Sequence, residues 1–285
     1  MRRFLVASAG ILLLVGGGLL IRSAGMEALL FMPRRLTVAE AEPGAWGVAA
    51  SAVRIPVEEN QWLHGWLFPR QPTGRRPCGT VLLLHGNAGN LTQFRVLGRW
   101  LAGSGLRVLA VDYRGYGASP GRPSENSLRS DARAAYRYVR DVLHEPAGHL
   151  VVIGHSLGAI LAADLAGHDS VAGLILFSAA PSVGPLIRQR SPLLAALLHS
   201  DQFSFDAREQ LARVRAPMMV ITGEKDRLVR VSDARAVLQL AGGRPADLIV
   251  IGGAGHNGLW EDPTAWQAMN RLLDRALPAS CAERT

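Results

Sequence analysis

Six segments of this chain are apolar on nearly every residue rather than on every second one, and they constrain the fold most. They are TVLLLHG (80–86), LRVLAVDYRG (106–115), HLVVIGHS (149–156), VAGLILFSA (171–179), APMMVITGEKD (216–226) and ADLIVIGGAGH (246–256). A strand covered on both faces needs such a sequence, and parallel strands are covered in that way. Between them lie helix-like segments, near 91–103, 127–143, 157–167, 231–241 and 263–277. In SLRSDARAAYRYVRDVL the apolar residues Leu128, Ala132, Ala135, Val139 and Val142 recur at helical spacing. Asp262 and Pro263 supply an N-cap and a first-turn proline for the last helix. Strand alternating with helix predicts an α/β domain with a mostly parallel central sheet and helices on both faces. Two shorter strands, 52–57 and 62–68, precede it, joined by a polar turn at 58–61. The rhythm breaks at about 180–210, which contains Pro181, Pro185 and Pro192 and reads as a short cap inserted after a strand. With 285 residues, 48% of them hydrophobic, the chain can bury one large core.

Outside this domain, expected at 51–278, the sequence has a different texture. Residues 4–21 are uncharged and flanked by Arg2, Arg3 and Arg22. As a helix they would span about 27 Å, close to a bilayer's hydrocarbon core. They predict an N-terminal membrane anchor within residues 1–25, with a signal sequence cleaved near Ser23, Ala24 and Gly25 as the alternative. The flanking arginines leave the orientation open. Residues 26–50 read as a linker and 279–285 as a tail. The formal charge is +8, carried almost wholly by arginine, since Lys225 is the single lysine. There is no basic run interleaved with aromatics and no zinc-finger spacing, which argues against nucleic acid as a partner. Cys78 and Cys281 form no framework that would imply disulfides or a metal site, and no cofactor is expected.

The pattern G-x-S-x-G occurs twice, as GASPG (117–121) and GHSLG (154–158). Ser156 closes an apolar strand and opens the helix LGAILAADLAG, so its glycines permit a tight turn that pushes the hydroxyl outward. The helix N-terminus adds a positive dipole and free N–H groups, and the N–H of Leu157 can face a developing oxyanion. Ser119 lies in a loop with no helix behind it, and the next residue, Pro120, has no N–H to offer. Ser156 is the candidate nucleophile.

A serine hydroxyl needs a base to take its proton. His256, in the glycine-rich loop GGAGHNG after the last strand, is placed at the same sheet edge. His155 adjoins Ser156 and should point away from it, and His85 in HGN reads as structural. Asp226 ends the strand MMVITGEKD and can orient His256, with Glu224 as the alternative acid. A second oxyanion donor is expected after the strand 80–86, from the backbone of Asn87, with Ala88 next.

Together, HGNAGN, DYRGYGASPGRPSE, GHSLGA, GEKDRLV and GAGHN resemble the α/β-hydrolase superfamily over residues 50–278. Within it they are similar to membrane-anchored serine hydrolases related to eukaryotic protein depalmitoylases. The resemblance implies a Ser156–Asp226–His256 triad with Asn87 and Leu157 as oxyanion donors, and a bracing role for Asp112 and Arg114. It implies a membrane-tethered hydrolase of carboxylic esters or thioesters, acting on a small-molecule or lipid-like acyl substrate. A peptidase or amidase on the same triad is the rival reading, and a non-catalytic binding protein is the rival from another class.

Overall fold

In a computed structural model of the protein, residues 31–58, 60–71, 78–190, 205–241 and 245–278 are described. The chain divides into a unit Met1–Met32 and a unit Pro33–Thr285, and the fold belongs to the second. Eight strands form one sheet: β1 (Ser51–Glu58), β2 (Gln61–Phe68), β3 (Thr80–Leu84), β4 (Arg107–Val111), β5 (Leu150–His155), β6 (Gly173–Phe177), β7 (Met218–Gly223) and β8 (Ala246–Ile251). Their spatial order is β1-β2-β4-β3-β5-β6-β7-β8. The β1–β2 hairpin and the β2–β4 pair are antiparallel, and all the other pairs are parallel. Because β3, β5, β6, β7 and β8 are parallel neighbours, their carboxyl ends lie along one edge, where functional groups of open α/β sheets gather.

Among the described residues the α-helices are α1 (Arg95–Gly103), α2 (Glu125–Arg137), α3 (Leu157–His168), α4 (Gly184–Arg190), α5 (Arg208–Arg213), α6 (Val231–Leu240) and α7 (Pro263–Ala276). Alternation along each strand divides the core. Val81, Leu83, Val151, Ile153, Ile175, Met219 and Ile221 face one way and cluster with Leu97 and Leu101 of α1 and Met269, Leu272 and Leu273 of α7. The intervening Leu82, Leu84, Val152, Leu174, Leu176 and Val220 are equally buried and point to the opposite face. The mostly parallel sheet with helices on both faces is the one the apolar runs predict.

Several boundaries differ from expectation for physical reasons. The strand after α1 ends at Val111, because the next residues turn to brace neighbouring loops rather than to extend the sheet. Helix α2 starts two residues early, since Ser124 caps it: its Oγ accepts the Ser127 N–H at 3.0 Å, and Ser127 Oγ accepts the Ser124 N–H at 2.8 Å. The helix expected over 91–103 opens as a 3-10 turn, Leu91–Phe94, before it becomes α1. Of the cap expected at 180–210, α4 and an isolated bridge between Ser182 and Asp206 are described, and residues 191–204 lie outside the described residues.

Residues 33–48, read as part of a linker, are bound to the domain. The N–H of Arg34 donates to Gly89 O and that of Leu36 to Gly117 O, both at 2.9 Å, while Trp66 Nε1 donates to Ala41 O at 2.7 Å. Ala41, Pro43 and Val48 are buried. Their spacing follows neither the helical nor the strand period, so the sequence gives no periodic signal for them. Cys78 is disulfide-bonded, although the cysteine spacing implied no framework; Cys281, the only other cysteine, lies outside the described residues.

The membrane assignment is corrected. Among the described residues no helix is long and apolar enough to cross a membrane, and residues 4–21, on which the expected anchor rested, lie outside the described residues. Hydropathy suggested the span, and no anchor is shown among the described residues.

Candidate active site

The turn between β5 and α3 presents Ser156 with φ 54° and ψ −114°, a backbone conformation that few side chains adopt. What forces the turn is close packing. A Cβ on Gly158 would stand 2.1 Å from Leu84 O, so only glycine lets α3 approach β3 this closely. Strands β3 and β5 run side by side with Leu84 opposite Gly154, which sets the loop after β3 against Ser156. A Cβ on Gly86 would meet the Ser156 Cβ at 3.4 Å.

Three sequence-predicted side chains come together here from three strand ends. His256 Nε2 lies 3.1 Å from Ser156 Oγ, and His256 Nδ1 lies 2.8 Å from Asp226 Oδ2. A carboxylate can only accept, so Nδ1 carries the proton and Nε2 is left to accept from the Ser156 hydroxyl. Asp226 Oδ1 accepts the N–H groups of Leu228 and Val229 at 2.8 and 2.9 Å. Burial would raise the Asp226 carboxyl, but hydrogen bonds from His256, Val229 and Ser178, with the His256 charge, hold it below the usual aspartate value. Glu224, the alternative acid, is exposed and accepts the Gly253 N–H at 2.8 Å, so it braces a turn instead of His256.

Leu157 is the first residue of α3, where N–H groups have no partner within the helix. Asn87 lies just beyond β3, with Tyr116 holding it: the Tyr116 hydroxyl donates to Asn87 O at 2.9 Å. The DYRGY segment braces this loop at further points. Tyr113 OH donates to His85 O at 2.9 Å, and Asp112 Oδ1 accepts the Leu91 N–H at 2.7 Å. Burial of Asp112 would raise its carboxyl, yet bonds from His64, His85 and Leu91 keep it low. Arg114 turns the other way and pairs with Asp131 of α2 at 2.7 Å.

His155, the neighbour of Ser156 in the chain, is buried and is not idle. Its Nε2 donates to the backbone carbonyl of His256 at 3.0 Å. Burial, with the nearby His256 charge, lowers His155 to about 4, so it is neutral at ordinary pH. Ser178, directly after β6, belongs to the same network, with Oγ 2.9 Å from Asp226 Oδ2. Sequence reasoning passed over it, because a lone serine after an apolar run carries no motif.

The second G-x-S-x-G match has a structural explanation. Ser119 is buried, accepts the His64 N–H at 2.8 Å and donates to Asp112 O at 2.8 Å. Gly117, at φ 49°, is required because a Cβ there would fall 1.9 Å from Asp112 Oδ2. Ser119→Ala should therefore leave active-site labelling stoichiometric. It should lower the unfolding free energy by about 1–3 kcal/mol, the penalty for leaving a buried donor unpaired. Denaturant titration of labelled and unlabelled protein checks both.

This sheet order and this convergence of strand ends define a class, and the chain belongs to the α/β-hydrolase superfamily. The sequence profile described as "Serine aminopeptidase, S33" matches residues 75–200. An uncharacterized protein of Mycobacterium tuberculosis strain H37Rv is 35% identical over 212 residues, 73% of each chain. The alpha/beta hydrolase domain-containing protein 17C of Xenopus tropicalis is 30% identical over 76% of this chain and 67% of its own. Among solved structures, an esterase of Pyrococcus furiosus superposes with a TM-score of 0.69 at 22% identity, over 87% of this chain and 100% of that one, a likeness of fold.

Proposed function

We propose that this hydrolase cleaves carboxylic esters or thioesters through an acyl-enzyme on Ser156. One observation carries the reading: the unbroken line of hydrogen bonds from Ser156 Oγ through His256 to Asp226. In the acylation step Ser156 Oγ attacks the acyl carbon while its proton passes to His256 Nε2. The carbonyl π electrons move onto the oxygen, which the N–H groups of Leu157 and Asn87 receive. Collapse expels the alcohol or thiol, and His256 returns the proton to it. Water then repeats the sequence against the acyl-enzyme, releasing the acid and restoring Ser156. Asp226 stays ionised throughout, because its hydrogen bonds hold its carboxyl low.

The Pyrococcus furiosus neighbour is named an esterase, which supports ester substrates here. The matching profile's description as a serine aminopeptidase supports a second reading, amide cleavage on the same residues. An amine leaves only after protonation, whereas a thiolate leaves readily without it, so the two readings make different demands on His256. The discriminating experiment offers one acyl chain as oxygen ester, thioester and amide. The ester and thioester should be turned over with kcat/KM far above that of the amide. Comparable or faster amide turnover would replace this reading with the peptidase one.

A further inference from the structure

We propose that Ser178 is a positioning residue for this reaction, its hydroxyl fixing the carboxylate oxygen of Asp226 that orients His256. The proposal rests on the triad reading above. Ser178 is fully buried at the carboxyl end of β6, with φ 46°, in the left-handed region. Its own N–H donates to Ile221 O at 2.8 Å, which holds it there. Backbone strain of this kind persists where surrounding structure over-determines it, and it clusters at functional sites.

The hydroxyl has one proton and two acceptors in reach: Asp226 Oδ2 at 2.9 Å and His256 O at 3.2 Å. The carboxylate oxygen is nearer and charged, so it takes the proton. The His256 carbonyl is already served by His155 Nε2. Asp226 Oδ1 is occupied by two backbone N–H groups, which leaves Oδ2 as the oxygen shared between His256 Nδ1 and Ser178. When His256 accepts the Ser156 proton, the imidazolium pulls on this one oxygen, and Ser178 is the second donor that keeps it in place.

Among the described residues, the titratable groups against His256 are Asp226 beyond β7 and His155 at the end of β5, its ring centroid 5.1 Å away. His155 is neutral over the working range, so a change at Ser178 is read through Asp226. Without its second donor, the carboxylate is more basic and draws harder on the Nδ1 proton, which favours the imidazolium. The acid limb of the kcat/KM profile should then move to higher pH.

The test compares wild type, Ser178→Ala, Ser178→Gly and Ser156→Ala in the full chain, on a water-soluble ester. Ser178→Ala should lose about tenfold in kcat, the effect of one hydrogen bond to a charged group, with KM unchanged and the acid limb shifted upward. Ser178→Gly, which adopts a positive φ without strain, should lose the same, since the hydroxyl is what matters. Wild-type kcat with an unshifted limb in Ser178→Ala would overturn the proposal. So would restored activity in Ser178→Gly, or a loss of activity matched by a loss of labelled, folded protein with no movement of the limb. Ser156→Ala separates the two levels: if it stays active, the triad reading itself fails.

Discussion

Ser156→Ala is expected to reduce ester hydrolysis by roughly 10⁴–10⁶-fold, the range seen when a nucleophile that acts as one unit with its base is removed. The residual rate would come from the oxyanion donors and substrate binding alone. The size of the effect follows from the geometry. Ser156 is the hydroxyl in contact with His256 Nε2, at 3.1 Å, and the strained turn that presents it is maintained by packing around Gly158, which the substitution does not disturb. The unfolding free energy should change little, so the loss is one of chemistry and not of fold. Steady-state rates beside a denaturant curve measure both.

The second large effect is expected at Asp226. In Asp226→Asn an NH2 group replaces one carboxylate oxygen. The N–H groups of Leu228 and Val229 keep an oxygen at the Oδ1 position, so the amide nitrogen turns toward His256. His256 Nδ1 must then accept, its proton moves to Nε2, and the Ser156 hydroxyl has no base. The expected loss is about 10⁴ in kcat. Glu224→Gln should be nearly silent, because Glu224 is exposed and accepts the Gly253 N–H rather than holding His256. If Glu224→Gln were the more damaging change, the assignment of the acid would be wrong. A stability signature accompanies the loss. The Asp226 carboxyl is held below its ordinary value in the folded state. Ionised Asp226 thus contributes stability that is present above the ordinary aspartate range and lost as pH falls through the lowered value. Asp226→Asn removes that contribution, so the variant should be less stable than wild type at neutral pH, with the difference narrowing in acid.

Much of this was legible in the sequence, for reasons that can be named. Apolar runs without alternation mark strands covered on both faces, so the sheet and its direction followed from them. Ser156 stood apart from Ser119 because a strand precedes it and a helix follows, and Asp226 and His256 followed from the ends of later strands. What stayed hidden has no periodicity and no motif. Ser178 is one serine after one strand, and only the sheet order brings it to Asp226, 48 positions away in the chain. The segment 33–48 packs through Ala41, Pro43 and Val48 at irregular spacing. Hydropathy at residues 4–21 was read as a membrane span, and the structure supplies no spanning helix among its described residues.

The most direct measurement is to treat the full-length protein with a fluorophosphonate, weigh the intact adduct, and map it by peptide sequencing. One phosphonyl group per chain, on Ser156, with hydrolysis lost in proportion to labelling, is the result expected. An adduct on any other residue, or ester hydrolysis that survives complete labelling of Ser156, would contradict the account.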